Sequence, residues 1–127
     1  MADQVKKNVY LEALEDMITL CDMALKRLRD LDAYTGTAVS ESQVKKDRRR
    51  AVLTLELNMA SYCVLLRKMR ENSMITYDDD TRMDINAVIH CTRFEYADGE
   101  ISVWSLNGRE RADAKKLLDF GQALLNA

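Results

Sequence analysis

Proline is absent from this 127-residue chain, so no helix can be ended by a residue that lacks the backbone N–H. Helix ends must instead be read from caps, glycines and loss of periodicity. Glycine is scarce as well, and the four glycines stand apart at 36, 99, 108 and 121. A phosphate-cradling loop needs glycines gathered ahead of a helix, so nucleotide binding of that kind is not expected. One histidine and three scattered cysteines offer too few clustered ligands for zinc. An odd number of cysteines (Cys21, Cys63, Cys91) set among apolar residues fits reduced, buried thiols better than a disulfide framework. Charge of one sign is lacking too. Nineteen Lys and Arg against 21 Asp and Glu leave a net charge of −2, which provides no overall field toward nucleic acid or an anionic membrane. No run nears the roughly 20 apolar residues that cross a bilayer. The first residues, MADQVKKNVYLEALED, carry acids where a signal peptide is apolar. The expectation is a cytoplasmic protein with no membrane association.

What is present is 47% hydrophobic residues, enough for one domain spanning 1–127 to bury a core. The organising stretch runs from Ser40 to Asn72 and reads as one long helix with two apolar faces. Val52, Leu55, Met59, Tyr62, Cys63, Leu66 and Met69 recur at three- and four-residue spacing on one face. Leu53, Leu57, Ala60 and Val64 form a second row, separated from the first by Glu56 and Arg67 on one flank and by Thr54, Ser61 and Lys68 on the other. A helix docks on a core with a single stripe, so a second stripe calls for a second partner. Residues 3–33 before it are amphipathic, with Leu14, Ile18, Cys21 and Leu25 on one wide face. Gly36 marks the turn between the two helices. Ser40 followed by Gln43 is a capping-box start. Two helices of about 30 residues, each roughly 45 Å long, are expected to fold back as an antiparallel hairpin. Leu55, Met59 and Leu66 would form the seam with Leu14, Ile18, Cys21 and Leu25.

The second half mixes element types. Residues 75–83 read as an exposed connection. A β-hairpin is expected at about 87–96 and 101–106, turning at Asp98-Gly99, a pair suited to a tight primed turn. That register places Tyr96 opposite Ile101, Phe94 opposite Val103 and Arg93 opposite Trp104. Residues 84–92 also fit a short helix, since periodicity over nine residues does not decide between them. A C-terminal helix over about 108–126 follows, with Asn107 as its cap. The fold class is therefore α+β, mainly α.

Candidate chemistry is sparse. Lys45, Lys46, Arg48, Arg49 and Arg50 suit phosphate or an acidic protein. They lie, however, in the turns that a helical hairpin sets beside Asp22, Asp30 and Asp32, and they read as exposed charge that folding does not need. Asp78, Asp79, Asp80 and Asp84 lack the spacing of a calcium loop. His90 and Cys91 are adjacent in a segment expected to be strand, where neighbours point to opposite faces, so they do not form a nucleophile and base pair. Trp104 and Leu106 share a hairpin face that remains to be covered, and tryptophan is a frequent interface anchor. No catalytic, cofactor or metal residues are expected. The sequence points to a small protein-binding module, of adaptor, chaperone or inhibitor type, that pairs with itself through Leu53, Leu57, Ala60 and Val64 and presents Trp104 and Leu106. The alternative is a nucleic-acid-binding accessory protein using Lys45 to Arg50.

Overall fold

The computed structural model describes residues 2–36, 38–97, 100–106 and 108–127. Its elements are α1 (Ala2–Ala33), α2 (Glu41–Glu71), α3 (Asp79–Ile89), β1 (Arg93–Ala97), β2 (Glu100–Ser105), β3 (Gly108–Arg111) and α4 (Ala114–Leu125). The architecture is α+β and mainly α. The two long helices pack together, with Arg27 paired to Asp47 at 3.5 Å and Arg48 to Asp32 at 2.7 Å close to the loop that joins them. α2 starts where its cap signal stands: the Ser40 hydroxyl accepts from the Gln43 N–H at 3.2 Å. Only half of the capping box forms, because the Gln43 side chain donates to Asp47 at 3.0 Å instead of turning back to the cap.

The far end of α2 compensates for the missing proline with backbone geometry. Ser73 sits at φ 59, its N–H bonds to the Arg70 carbonyl, and the Met74 N–H bonds to the Met69 carbonyl. These paired bonds form a Schellman termination, which favours glycine at the left-handed position that Ser73 occupies.

One contiguous core draws on every element except β3. Leu14, Ile18, Cys21 and Leu28 of α1 meet Leu55, Met59, Tyr62 and Leu66 of α2, with Ile85 and Val88 of α3, Val103 of β2 and Leu117 of α4 packed around them. Burying each large aliphatic side chain contributes about 1.5 to 3 kcal/mol. α4 docks very closely on this core. The Tyr62 hydroxyl donates to the Leu117 carbonyl, and a Cβ on Gly121 would come within 2.2 Å of that hydroxyl. Glycine is needed at 121 for the close approach, not for a turn.

Two expected boundaries are corrected. Residues 79–89 form a helix, so the connection is shorter than 75–83 and the strand does not begin at 87. Asp78 caps α3 by accepting from the Thr81 N–H at 2.8 Å, and Thr81, Ile85 and Val88 are buried at helical spacing. The short-helix reading of 84–92 was the nearer one. His90 is the C-cap of that helix, so the reason given for its separation from Cys91, alternation along a strand, does not apply. The second correction is at the C-terminal helix, which begins at Ala114 and not at 108. Asp113 is its N-cap, accepting from the Lys116 N–H at 2.9 Å. Residues 108–111 are instead a third antiparallel strand paired with β2. Gly-Arg-Glu-Arg has no apolar alternation to announce a strand. The pairing also joins charges: Arg109 lies 3.6 Å from Glu95 and Arg111 3.2 Å from Glu100, the kind of charged residue that edge strands carry.

The strand order is β1-β2-β3, and Arg93 opposes Trp104, Phe94 opposes Val103 and Tyr96 opposes Ile101, the register that the turn length implies. The Asp98-Gly99 turn and the Asn107 cap lie outside the described residues. Phe94, Tyr96, Ile101 and Val103 face the core.

Candidate functional site

The two faces of α2 lead to different surroundings. Its second apolar row stays outside the core: Leu57 is 70% exposed, Leu53 44% and Val64 38%, with Ala60 half-buried between them. Leu20 and Met23 of α1 are exposed as well. They line a groove of about 420 Å³ with Ala24, Ala51 and Thr54, closed at its charged end by Arg27, Asp47 and Arg50. Leu20 and Met23 carry a readable sequence signal, since they fall off the inward stripe of α1. The row itself is about 16 Å long at ~1.5 Å per residue. Trp104 (38% exposed) stands in β2 and Leu106 (fully exposed) follows that strand, and neither they nor the second row of α2 line the α1/α2 groove. The six residues named from sequence thus belong to two parts of the chain, α2 and the end of β2.

The basic run is divided by the helix. At 100° per residue, neighbouring positions point to different sides. Lys45, Arg48 and Arg49 line a groove of about 280 Å³ along the edge of β1, together with Val52 and Arg93. Arg50 lines the α1/α2 groove instead, and Lys46 is exposed. Arg48 departs from the expectation of free surface charge. It is half-buried, pairs with Asp32, donates to the Tyr96 carbonyl at 2.8 Å and places its guanidinium 5.6 Å from the Tyr96 ring centroid. Burial, and after it Asp32, holds the Tyr96 phenol above its ordinary range. One helical turn beyond Val52, Glu56 accepts from the Phe94 N–H at 3.2 Å. Arg48 and Glu56 together occupy outward-facing backbone groups of β1, which keeps that edge from pairing with another strand. Of the three acids expected near the run, Asp32 is the one that pairs with it.

Three of the four acids at 78–84 have partners within the chain. Asp78 caps α3, and the Thr81 N–H it accepts holds its carboxyl below the usual range. Asp79 pairs with Arg82 at 3.3 Å. Asp84 lies 3.9 Å from Lys116, and burial raises its carboxyl above the usual range against the pull of that lysine. The thiols are poor nucleophiles. Burial pushes Cys21 up to about 12 and raises Cys63 and Cys91 as well, so at neutral pH they stay protonated. A cleft of about 450 Å³ between α1, α4 and the end of the sheet has an apolar floor that includes Leu25, Ile101 and Leu118. Much of the charge at its rim pairs internally, as Arg111 with Glu100 and Lys115 with Asp119.

Among the described residues no helix is long and apolar enough to cross a membrane. These features define a small α+β chain with two candidate binding surfaces, an apolar helical face and a basic groove. Compared with protein families, with curated proteins and with solved structures, the chain has no match.

Proposed function

We propose that this chain is a small protein-binding module, of adaptor, chaperone or inhibitor type, that works by association and not by catalysis, and that it pairs with a second copy of itself. The observation that carries the reading is the row Leu53, Leu57 and Val64, exposed on the helix that supplies more of the core than any other element, together with the exposed Leu20 and Met23 of α1. The groove lined by Leu20, Met23, Ala24 and Ala51 ends in Arg27, Asp47 and Arg50, and apolar surface bordered by charge is the layout of an interface with a polar rim. Scattered exposed leucines are ordinary, but contiguous apolar surface on so small a chain calls for a partner. Two-fold pairs are the commonest outcome for such a surface. Trp104 and Leu106 leave the sheet free to engage a different protein. The nucleic-acid reading is weakened because the helix turns Arg50 away from Lys45 and Arg49, and Asp32 and Tyr96 engage Arg48.

Sedimentation equilibrium at micromolar concentration tests the pairing. The expected mass is twice the 14.6 kDa of one chain, returning to a single chain in Leu57→Arg with the helical circular dichroism unchanged. A single-chain mass for the unaltered protein at every concentration would overturn the pairing.

A further inference from the structure

The basic groove beside β1 carries an inference that does not depend on self-association. Lys45, Arg49 and Val52 lie on one side of α2, and Arg93 opens β1 across from them. Among the described residues no hydrogen bond or ion pair engages the side chains of Lys45, Arg49 or Arg93, in contrast to Arg48 between them. The one carboxylate on the groove wall, Glu95, pairs with Arg109 of β3 at 3.6 Å. The groove therefore holds an uncompensated positive charge. The walls are built in advance, because Arg48 and Glu56 tie β1 to α2 through its backbone.

We propose that this groove docks an acidic segment of a partner protein, its carboxylates pairing with Lys45, Arg49 and Arg93 and an apolar side chain resting on Val52. Spacing supports an extended peptide. Lys45 and Arg49 are one turn apart, about 6 Å along the helix, and carboxylates at alternate positions of an extended strand are separated by about 6.6 Å. A nucleic-acid strand fits less well. Phe94 and Tyr96, the aromatics of the groove, are 4% and 8% exposed and offer no ring for base stacking.

The test is fluorescence anisotropy with a labelled short peptide of alternating Glu and Ser carrying one central Leu, titrated at low ionic strength. Saturable binding is expected. Arg49→Glu with Arg93→Glu should weaken it by at least about tenfold, whereas Lys46→Glu with Arg50→Glu, the same change in net charge on other sides of α2, should weaken it by less than about threefold. If the first pair fails to fold by circular dichroism, Arg49→Gln with Arg93→Gln decides on the same scale. Leu57→Arg should bind the peptide unchanged, which separates this site from the pairing face. Absence of saturable binding, equal loss in both charge-reversed pairs, or tighter binding of a single-stranded oligouridine of equal charge would each overturn the proposal.

Discussion

The two faces of α2 are similar in composition and opposite in fate. One carries Leu55, Met59, Tyr62, Cys63, Leu66 and Met69 and is sealed. The other carries Leu53, Leu57 and Val64 and meets solvent. The difference lies in what packs on them. α1, α3, β1 and α4 all contribute to the core that covers the first face, and the second stays exposed. Hydrophobicity alone therefore does not say which stripe is core. Burial depends on how many neighbouring elements the topology delivers to a face, and a stripe left over is where association is to be sought.

The comparison is broken most directly by truncating each face. Leu55→Ala should cost about 2 to 5 kcal/mol in denaturant unfolding, because Leu55 is fully buried and the change leaves a cavity. Leu57→Ala should stay within about 0.5 kcal/mol when measured at a concentration where the chain is unpaired. Equal effects at the two positions would erase the distinction.

A second probe uses the proton on Cys21, which lies in the seam opposite the sealed face. Its folded value of about 12 is above the ordinary 9.0, so its contribution is complete below pH 9 and is lost as pH rises toward 12. Each pH unit in that window removes up to about 1.4 kcal/mol. Relative to Cys21→Ala, the unaltered protein should therefore lose about 1 to 2 kcal/mol between pH 8 and pH 10.5 in urea midpoints. Parallel pH profiles for the two proteins would mean that the seam is wet.

The smallest effect separates neighbours within the basic run. Arg48→Gln should lower stability by about 1 kcal/mol, since it releases an ion pair and leaves the Tyr96 carbonyl without its charged donor. Arg49→Gln should be neutral within about 0.5 kcal/mol. Thermal melts of the two single variants check this. If Arg48→Gln proves as silent as Arg49→Gln, the clamp on β1 contributes nothing to stability.

The sequence alone determined the parts whose signals are local. The spacing of Leu14, Ile18 and Cys21 defines a helical face whatever surrounds it, Ser40 caps the helix that follows it, and a two-residue turn sets Phe94 opposite Val103. Period and cap chemistry act within a few residues, so they can be read without coordinates. What only the tertiary structure decided is whatever depends on distant neighbours. The segment 84–92 was open between strand and helix until the buried trio Thr81, Ile85 and Val88 met the core. Gly-Arg-Glu-Arg became a strand because the edge of the preceding strand β2 pairs with it and brings Arg111 to Glu100, a pairing that polar residues do not announce even between consecutive strands. The same holds for the groove. Arg93 joins Lys45 and Arg49 from more than forty positions away along the chain, because β1 is carried back onto α2 by Arg48 and Glu56.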